Sequence, residues 1–508
     1  MAITKKEYDF VIIGSGLGGL ACAYILASEG HSVIVLEKNH QIGGNLQVFS
    51  REKCIFDTGV HYIGSLDEGE NLNQFFKYFG LMKKLKLKRM DEDGFDVIRF
   101  KDGKEFKHAQ GYENFIATLT KQFPEEKNAI VSYCNAIKET CQQFPVYNLE
   151  IPNSSHVNNI ALLSMNAYEH IAAITSNKLL QNVLAGTNGL YAGEKESTPW
   201  YVHALIMNSY LTGAYRLKDG GSQIAIHMSK SIKALGAEIY KRKEVVGANF
   251  KENGEIQEVI LKSGEVVKGK KFISNVHPAI TIDIFGENRF LKAYTKRIKG
   301  LKDTSSSFIV HLVFKENTFN YLNYNIYQVN IDDVWGTVNY NPKEWPQSYF
   351  VCTPANSKNE TFAESMSVMT YMDSKETDQW ADTHNTIANK NNRGADYEAF
   401  KKEKEEKVIT VLEEQFPDIR LKIKSIYSTT PLTFRDYIGD KTGALYGIAK
   451  DNRNPLKTSI NSRTKIKNLS LTGQNIVLHG VLGVTIGAFV TCFEFVDKHQ
   501  LINKVKNS

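Results

Sequence analysis

The sequence predicts an α/β fold in which an α+β domain is inserted between the parts of a parallel sheet. At the N-terminus, an apolar strand at 8–13, a glycine-rich turn at 14–19, a helical run to residue 30 and a second apolar strand at 32–37 follow one another. Glycine-rich turns between apolar runs return near residue 220 and again after residue 430. The blocks between them have other patterns, which predicts one discontinuous sheet domain interrupted by two insertions.

The N-terminal turn has the spacing of a dinucleotide-binding, Rossmann-like motif. Gly14 permits a tight turn, Gly16 lets the backbone approach a pyrophosphate, and Gly19 lets the helix pack closely on the strand. Glu37 closes the second strand, where a carboxylate can accept hydrogen bonds from ribose hydroxyls. A phosphate would lie at the helix N-terminus, where free N–H groups and the helix dipole favour an anion. Two neighbouring residues are assigned to the same site, Ser15 and Lys38.

Length and composition exclude several classes of protein. A chain of 508 residues with 42% hydrophobic and 23% charged residues is typical of a globular protein with more than one domain. The net charge of +6 is mild and the basic residues are dispersed, which argues against a nucleic-acid partner. The six cysteines show no CxxC pair and no metal-ligand spacing, so we predict no metal site and a reducing, cytoplasmic environment. Because the N-terminal residues run directly into the first strand, we expect no signal peptide.

Shifts in pattern divide the chain into five segments. The block 72–211 is mostly helical by its apolar period, and the block from about 278 to 424 mixes strands and helices. We expect the remaining pieces to form one cofactor domain and the two blocks to form a substrate domain. The expected segments are 1–71 (cofactor domain, first part), 72–214 (helical, membrane-facing insertion), 215–290 (second part), 291–424 (mixed substrate domain) and 425–508 (third part).

Together these motifs resemble the FAD-dependent phytoene desaturase and retinol saturase family, within the larger amine-oxidase-like group of flavoproteins. The resemblance covers nearly the whole chain, and segments 56–64 and 472–475 look more like retinol saturases than phytoene desaturases. It implies a Rossmann-like FAD-binding domain with an inserted α+β substrate domain, and FAD as the cofactor. The segments that carry it are 14–37, 43–44, 56–64, 219–221, 236–245, 430–431, 446–447 and 471–487.

The resemblance implies further contacts to the adenosine and pyrophosphate parts of FAD. Gly43 and Gly44 would let the backbone come close to the pyrophosphate and the ribityl chain. Asn45 stands where many members of the group have an arginine on the phosphates, a departure that retinol saturases share. Val245 would offer its backbone N–H and C=O groups to the adenine.

The C-terminal part of the resemblance implies contacts to the flavin. Gly473, Gln474 and Asn475 replace the Gly-Asp pair that many flavoproteins use on the ribityl hydroxyls, and an amide can do this without a charge. Three further residues would begin the last helix, whose N-terminal amides could face the pyrimidine edge of the flavin. They are Gly483, Val484 and Thr485.

The catalytic residues are less well defined. Saturating a polyene needs hydride from the flavin and a proton, so one general acid suffices. We predict His61 or Tyr62 as that acid. The alternative for His61 is a structural role, in which the imidazole is hydrogen-bonded in the core beside the cofactor. We also expect His479 and Arg435 to lie at the flavin cavity. A second GxGxxG for NAD(P)H is missing, so NAD(P)H as external electron donor would visit the flavin transiently, or another protein would reduce it.

The resemblance favours reduction of a C–C double bond in an apolar polyene or isoprenoid, of the retinol-saturase kind. Phytoene-type desaturation and isomerisation are the alternatives, followed by amine oxidation and by a non-catalytic lipid carrier like the Rab GDP-dissociation inhibitors. An apolar tunnel in 72–211 with its mouth against a membrane would admit such a substrate, so a peripheral membrane contact is expected without a spanning segment. Substrate identity, electron donor and oligomeric state stay open.

Overall fold

Two seven-stranded sheets organise the chain in the computed structural model, which describes residues 3, 7–152, 159–387 and 390–508. The first sheet has five parallel strands, which come from three separated parts of the chain. Two antiparallel strands extend the longest of them. In spatial order the parallel strands are Glu238–Lys241, Val33–Glu37, Tyr8–Ile13, Val266–Ser274 and Leu469–Leu471, and the antiparallel strands are Ile256–Leu261 and Val245–Phe250.

Helices cover both faces of this first sheet. Tyr8–Ile13 and Val33–Glu37 are almost wholly buried, as expected for parallel strands between two helical layers. Leu17–Ser28 and Gly480–Cys492 pack together on one face, and Pro278–Phe285 lies on the other. The helices Leu17–Ser28 and Gly480–Cys492 are apolar around most of their circumference because further elements cover their outer sides.

The second sheet is antiparallel except for one parallel pair, Asn325–Val329 with Asp96–Phe100. Its strand Ser306–Phe314 is buried along its whole length, and the helix Ala395–Gln415 packs against it. This sheet and its helix confirm the predicted α/β fold with an added α+β domain. In spatial order its strands are Ile423–Thr429, Ser306–Phe314, Ser365–Met372, Ser348–Cys352, Asn325–Val329, Asp96–Phe100 and Glu105–His108.

The prediction that residues 72–211 are mostly helical misses three strands. Leu87–Arg89 pairs with Ala214–Leu217, which also pairs with Ile63–Gly64. The other two, Asp96–Phe100 and Glu105–His108, extend the second sheet. These strands are short and two of them pair with distant parts of the chain, so the local pattern of apolar residues does not predict the pairing. The helices of the block are Asn71–Tyr78, Tyr112–Gln122, Lys127–Gln142, Ile160–Ser164, Ala167–Ile174, Lys178–Leu184 and Trp200–Leu211.

A hairpin over residues 48–57 ties the two sheets together. The ring of Phe56 lies 5.0 Å from that of His311, which belongs to the second sheet. At the end of the hairpin, Asp57 Oδ1 accepts a hydrogen bond from the Gly221 amide at 2.6 Å. The hairpin therefore joins three distant parts of the chain. Its strands are Val48–Arg51 and Cys54–Asp57.

The length and hydropathy of the helices bear on whether one of them could span a membrane. Within the described ranges, none is both long enough and apolar enough to cross a bilayer. The helices not yet named are Ser222–Ala234, Lys292–Lys299, Ile419–Lys422, Pro431–Ile438, Pro455–Thr458 and Lys498–Lys506.

Candidate cofactor and substrate site

A cavity of about 620 Å³ lies between the two sheets, at the carboxyl ends of the parallel strands. Ile13, Leu36 and Thr472 line it from the ends of three strands of the first sheet, and Tyr327 and Phe350 line it from the second sheet. Open α/β sheets bind their ligands at this end of the strands. The cavity is therefore the candidate site for a nucleotide cofactor.

The glycine-rich turn at this cavity leaves no room for side chains. Gly14 has a φ of +93°, in the left-handed region that glycine adopts without strain. A Cβ on Gly16 would lie 2.7 Å from Asn275 Nδ2, and a Cβ on Gly19 would collide with the carbonyl oxygen of Gly14. The backbone of the turn therefore stays open to a ligand, which fits a pyrophosphate. Sequence reasoning misses Asn275, because an amide after a strand carries no motif of its own.

Glu37 is 5% exposed, and the protein already hydrogen-bonds both of its oxygens. The amide and hydroxyl of Ser15 donate to Oε2 at 2.9 and 2.6 Å, and the Asn39 amide donates to Oε1 at 2.7 Å. A carboxylate oxygen accepts more than one hydrogen bond, so ribose hydroxyls can still bind. Lys38 follows in the cavity wall, where burial lowers the pKa of its ammonium.

The paired glycines meet the first turn in the same wall. The Gly43 amide donates to the Ser15 carbonyl oxygen at 3.1 Å, and Gly43 and Gly44 have φ values of +117° and +57°. Asn45 follows them at the cavity, and Val245 lines it from the edge strand of the sheet. The fold thus brings these predicted residues together, and their individual contacts to a cofactor stay predictions.

Gly473, Gln474 and Asn475 reach the cavity from the C-terminal part of the sheet. The Asn475 Oδ1 accepts a hydrogen bond from the Ile448 amide at 2.8 Å. Its Nδ2 group donates to no other residue in the described part of the chain, so this donor is available to a ligand. That availability fits the predicted contact to a ribityl hydroxyl.

The helix that was predicted to begin at Gly483 begins earlier, and it is followed by one more helix, Lys498–Lys506. The former spans Gly480–Cys492, so Gly483 is not its first residue. Val484 lines the cavity, whereas Thr485 is buried and its hydroxyl donates to the Val481 carbonyl oxygen at 2.8 Å. The free amides of the first turn belong to earlier residues of the helix. The apolar segment contains several spaced glycines, and their pattern alone does not decide which one starts a helix.

Tyr62 belongs to a hydrogen-bonded chain that leads from the core to the cavity. Its hydroxyl lies 2.9 Å from Asp96 Oδ2 and 2.7 Å from the hydroxyl of Tyr327, which also lines the cavity. Asp96 Oδ1 accepts a hydrogen bond from Asn325 Nδ2 at 2.8 Å. Burial raises the pKa of the Asp96 carboxyl to about 7, so a buried proton is present near neutral pH. Sequence reasoning misses Asp96, because the strand that carries it was not predicted.

His61 and His479 both line the cavity as predicted. The ring of His61 lies 5.7 Å from that of Phe350, and burial, with a smaller effect of Arg216, lowers the pKa of the imidazole to about 4. His479 Nε2 lies 3.1 Å from the Leu190 carbonyl oxygen, and burial also lowers the pKa of this imidazole to about 4. Both imidazoles are therefore neutral at pH 7.

The expectation that Arg435 lines the cavity is wrong. Its Nε donates to Asp436 Oδ1 at 2.9 Å, and its Nη1 donates to the Ala381 carbonyl oxygen at 2.6 Å. Asp436 is buried and also pairs with Arg393. Arg435 thus holds a loop against the helix Pro431–Ile438, a tertiary contact that its position beside a family-like motif does not show.

One group of side chains within the described residues has the spacing of metal ligands, His277, Asp303 and Asp440, whose donor atoms lie within 4.8 Å of one another. His277 Nδ1 accepts a hydrogen bond from the Ala279 amide at 3.2 Å. The proton of a neutral imidazole is then on Nε2, which lies 3.2 Å from Asp303 Oδ1. In this arrangement the group is a hydrogen-bonded cluster, and His277 offers no free nitrogen to a metal.

A second cavity of about 620 Å³ adjoins the first. Six residues line both cavities and form the shared wall: Tyr62, Leu190, Tyr210, His479, Gly480 and Val481. Aliphatic and aromatic side chains make up most of the remaining lining. We call this second cavity the apolar chamber. It lies between the helices Trp200–Leu211 and Gly480–Cys492, and no single motif predicts it.

The site defines a class of protein. A glycine-rich turn at the strand ends, a buried acid beside it and a helix N-terminus at the same cavity are typical of dinucleotide-binding proteins, and a second sheet closes this one. The chain belongs to the family of flavin-containing amine oxidoreductases, whose model matches residues 17–388. The protein is therefore a flavin-dependent oxidoreductase, and the predicted flavoprotein group is confirmed.

Individual proteins are similar to the chain over most of its length. An all-trans-retinol 13,14-reductase of Rattus norvegicus is 26% identical over 99% of this chain and 87% of its own length. A chloroplastic prolycopene isomerase of Daucus carota is 24% identical over 87% of this chain and 72% of its own length. The crystal structure of an oxidoreductase from Methanosarcina mazei superposes with a TM-score of 0.62 at 16% identity, covering 94% of this chain and 98% of that one, which shows a shared fold.

The glycine turn generates a prediction for the Gly19→Ala variant. The new Cβ would collide with the Gly14 carbonyl oxygen, so the helix must move away from the turn and the cofactor site is distorted. We expect the purified variant to lose most of its bound flavin, measured as the ratio of flavin to protein absorbance. Gly247→Ala is the matched control, because its Cβ would meet only Ile260 Cδ1 at 3.8 Å. A Gly19→Ala protein with a full complement of flavin would contradict this reading of the turn.

Proposed function

We propose that this protein uses FAD to reduce a C–C double bond of an apolar polyene or isoprenoid. The observation that carries the proposal is the apolar chamber, which meets the cofactor cavity at Tyr62, Leu190 and Tyr210. A long apolar chain could lie in this chamber and extend to the shared wall, because its binding would remove water from few polar groups of the protein. The names of two relatives, an all-trans-retinol 13,14-reductase and a prolycopene isomerase, support the same class of substrate.

FAD would supply the hydride when bound, and the chain would bind it with the cavity-lining parts of the first sheet. We assign segments 1–71, 215–290 and 425–508 to the cofactor side, and 72–214 and 291–424 to the substrate side. No second GxGxxG is present, so we propose that NAD(P)H or a reducing protein acts as an external donor. The residues proposed to hold FAD are Gly14, Ser15, Gly16, Gly19, Glu37, Lys38, Gly43, Gly44, Asn45, Val245, Gly473, Gln474, Asn475 and Val484.

We propose that Tyr62 or its neighbour Tyr327 delivers the proton that the reduction requires, with Asp96 as its source. The Asp96 proton can pass to the Tyr62 hydroxyl at 2.9 Å while that hydroxyl passes its own proton to Tyr327 at 2.7 Å. Both tyrosines line the cavity, so either hydroxyl can face a polyene carbon. His61 is the weaker candidate for the acid, because its pKa of about 4 leaves little imidazolium at pH 7.

An anaerobic experiment tests the proposed function. The bound flavin is reduced, all-trans-retinol or a C40 polyene is added, and the flavin absorbance is followed together with the mass of the polyene. We expect the flavin to be reoxidised and the polyene to gain two hydrogens. A product of unchanged mass and altered double-bond geometry would favour the second candidate, isomerisation, which the similarity to prolycopene isomerase supports. Reduced flavin beside unchanged polyenes would contradict both, and a colourless protein would favour the non-catalytic lipid carrier.

The proton source generates a prediction for Asp96→Asn. The carboxyl, with its pKa of about 7, is protonated below pH 7 and loses its proton as the pH rises through that value. We therefore expect the wild-type rate of flavin reoxidation by the polyene to fall above about pH 7. The variant should be slower by ~10²- to 10⁴-fold and should lack this pH dependence.

Asp57→Asn is the matched control for Asp96→Asn. Burial raises the pKa of Asp57 to about 7 as well, but its carboxylate accepts a hydrogen bond from the Gly221 amide instead of contacting a tyrosine of the cavity. We expect this control to keep the wild-type pH profile. Equal rates for Asp96→Asn and the wild type would rule out Asp96 as the source of the proton.

We further propose a peripheral membrane contact at the rim of the apolar chamber. Ile160 is 48% exposed and Leu456 is 62% exposed. They belong to Ile160–Ser164 and Pro455–Thr458, two short helices that pack against each other and contribute residues to the chamber lining. Large aliphatic side chains at this rim suit a contact with lipid, from which an apolar substrate would enter.

Flotation with phosphatidylcholine–phosphatidylserine vesicles tests the membrane contact. We expect the wild-type protein to float and the double variant Ile160→Asp, Leu456→Asp to float less, because two carboxylates would enter the interface. Leu421→Asp is the control, since Leu421 is 74% exposed on the separate helix Ile419–Lys422. Wild-type protein that does not float with the vesicles would contradict the proposal. An equal decrease of the floating fraction in the double variant and in the control would contradict it as well.

A further inference from the structure

The apolar chamber contains one charged side chain among its described lining residues, that of Lys450. Its Nζ donates to two backbone carbonyl oxygens, that of Asn475 at 3.2 Å and that of Thr458 at 3.4 Å. No carboxylate of the described residues lies within 4.0 Å of it, whereas Lys77, Lys218 and Lys302 each pair with a glutamate. Two carbonyl groups solvate an ammonium only in part, so the charge lacks a counterion.

Burial lowers the pKa of Lys450 to about 8. The ammonium form still predominates at pH 7, so the chamber carries a positive charge in apolar surroundings. The other potential cation of the lining, His479, is neutral at that pH because its pKa is about 4. An isolated charge of this kind is costly unless a ligand brings the opposite charge.

Lys450 lies close to the shared wall between the two cavities. It binds the carbonyl oxygen of Asn475, which lines the cofactor cavity. Its charge also contributes to the low pKa of His479, which lines both cavities. A group bound at Lys450 is therefore next to the cofactor side, and the rest of the ligand has the apolar chamber available to it.

We propose that Lys450 binds the carboxylate head group of the substrate, so that the preferred substrate is an apolar polyene or acyl chain that ends in a carboxylic acid. The inference rests on the proposed function for the apolar chain and adds its head group. The ion pair would form in a cavity of about 620 Å³, a size typical of small-molecule sites. With the head group held at one place, the chain has one register against the shared wall, which selects the double bond that reacts.

Lys450 is suited to this task by its surroundings. Apolar walls exclude water, which strengthens an ion pair between the ammonium and a carboxylate. The neutral hydroxyl of an alcohol would gain only an ordinary hydrogen bond at the same place and would leave the charge uncompensated. The chamber should therefore discriminate between an acid and an alcohol that share one chain.

Equilibrium binding to the flavin-loaded, oxidised protein tests the proposal. All-trans-retinoic acid and all-trans-retinol serve as probes, because they share one polyene chain and differ in the head group. Binding is followed at pH 7 by quenching of tryptophan fluorescence. We expect the acid to bind at least about 10-fold more tightly than the alcohol, the ratio that a charged hydrogen bond in place of a neutral one produces.

Variants assign the preference to Lys450. In Lys450→Met the acid should lose its advantage while the affinity for the alcohol changes little, and in Lys450→Arg most of the preference should remain. Lys457→Met is the matched control, because it removes an exposed lysine from the neighbouring helix Pro455–Thr458. Equal affinities of the wild type for acid and alcohol would overturn the proposal, and so would an undiminished preference in Lys450→Met.

The comparison of the two probes in the wild type needs no variant. It therefore shows whether the chamber prefers a carboxylate head group even if Lys450→Met does not fold. Binding and turnover are also separate readouts. A protein that prefers the acid but reduces neither probe keeps its carboxylate site and loses the proposed saturase activity. A protein that reduces retinol without any preference for the acid keeps the activity and loses the carboxylate site.

Discussion

At the carboxyl ends of the parallel strands, glycine backbones from distant segments lie against the side chain of Asn275, and the whole cofactor side of the fold is built around this contact. The side chain of Asn275 lies so near Gly16, Gly18 and Gly473 that a Cβ on any of them would come within 2.7 Å of one of its atoms. Three distant parts of the chain meet at this point. A side chain at one of the glycines would separate them and would close the space that a pyrophosphate needs.

The boundary between the two sheets keeps ionisable groups in apolar surroundings. Arg216 is 1% exposed, and its Nη2 donates to the Tyr324 carbonyl oxygen at 2.8 Å and to Asn325 Oδ1 at 3.0 Å. Asp57 and Asp96 lie close enough to interact with its charge, but burial outweighs this effect and raises both pKa values to about 7. Protons can therefore be held and released near neutral pH at a place that water does not reach freely.

Much of the cofactor side could be predicted, because cofactor binding requires particular residue types at positions that are close together in the sequence. A strand, a tight turn, a helix start and an acid at the end of the next strand follow one another in the chain, and each needs a particular residue type, as at Gly14, Gly19 and Glu37. The Gly43 and Gly44 pair follows the same logic, since positive φ values select glycine. The start of the helix Gly480–Cys492 was misplaced, because Gly480 and Gly483 look equivalent until the neighbouring strand ends are in position.

The α/β class and the nucleotide-binding turn could be derived from the sequence alone, because short-range backbone geometry restricts those positions to few residue types, and the flavin followed from the resemblance to a known family. The residues around the apolar chamber could be known only from the packing of distant segments. Asp96 reaches Tyr62 and Tyr327 through strands that pair across the chain, and Lys450 enters the apolar chamber from a loop far from both. Burial and the absence of a counterion give such residues their chemistry, and both depend on packing between distant segments, which no local pattern records.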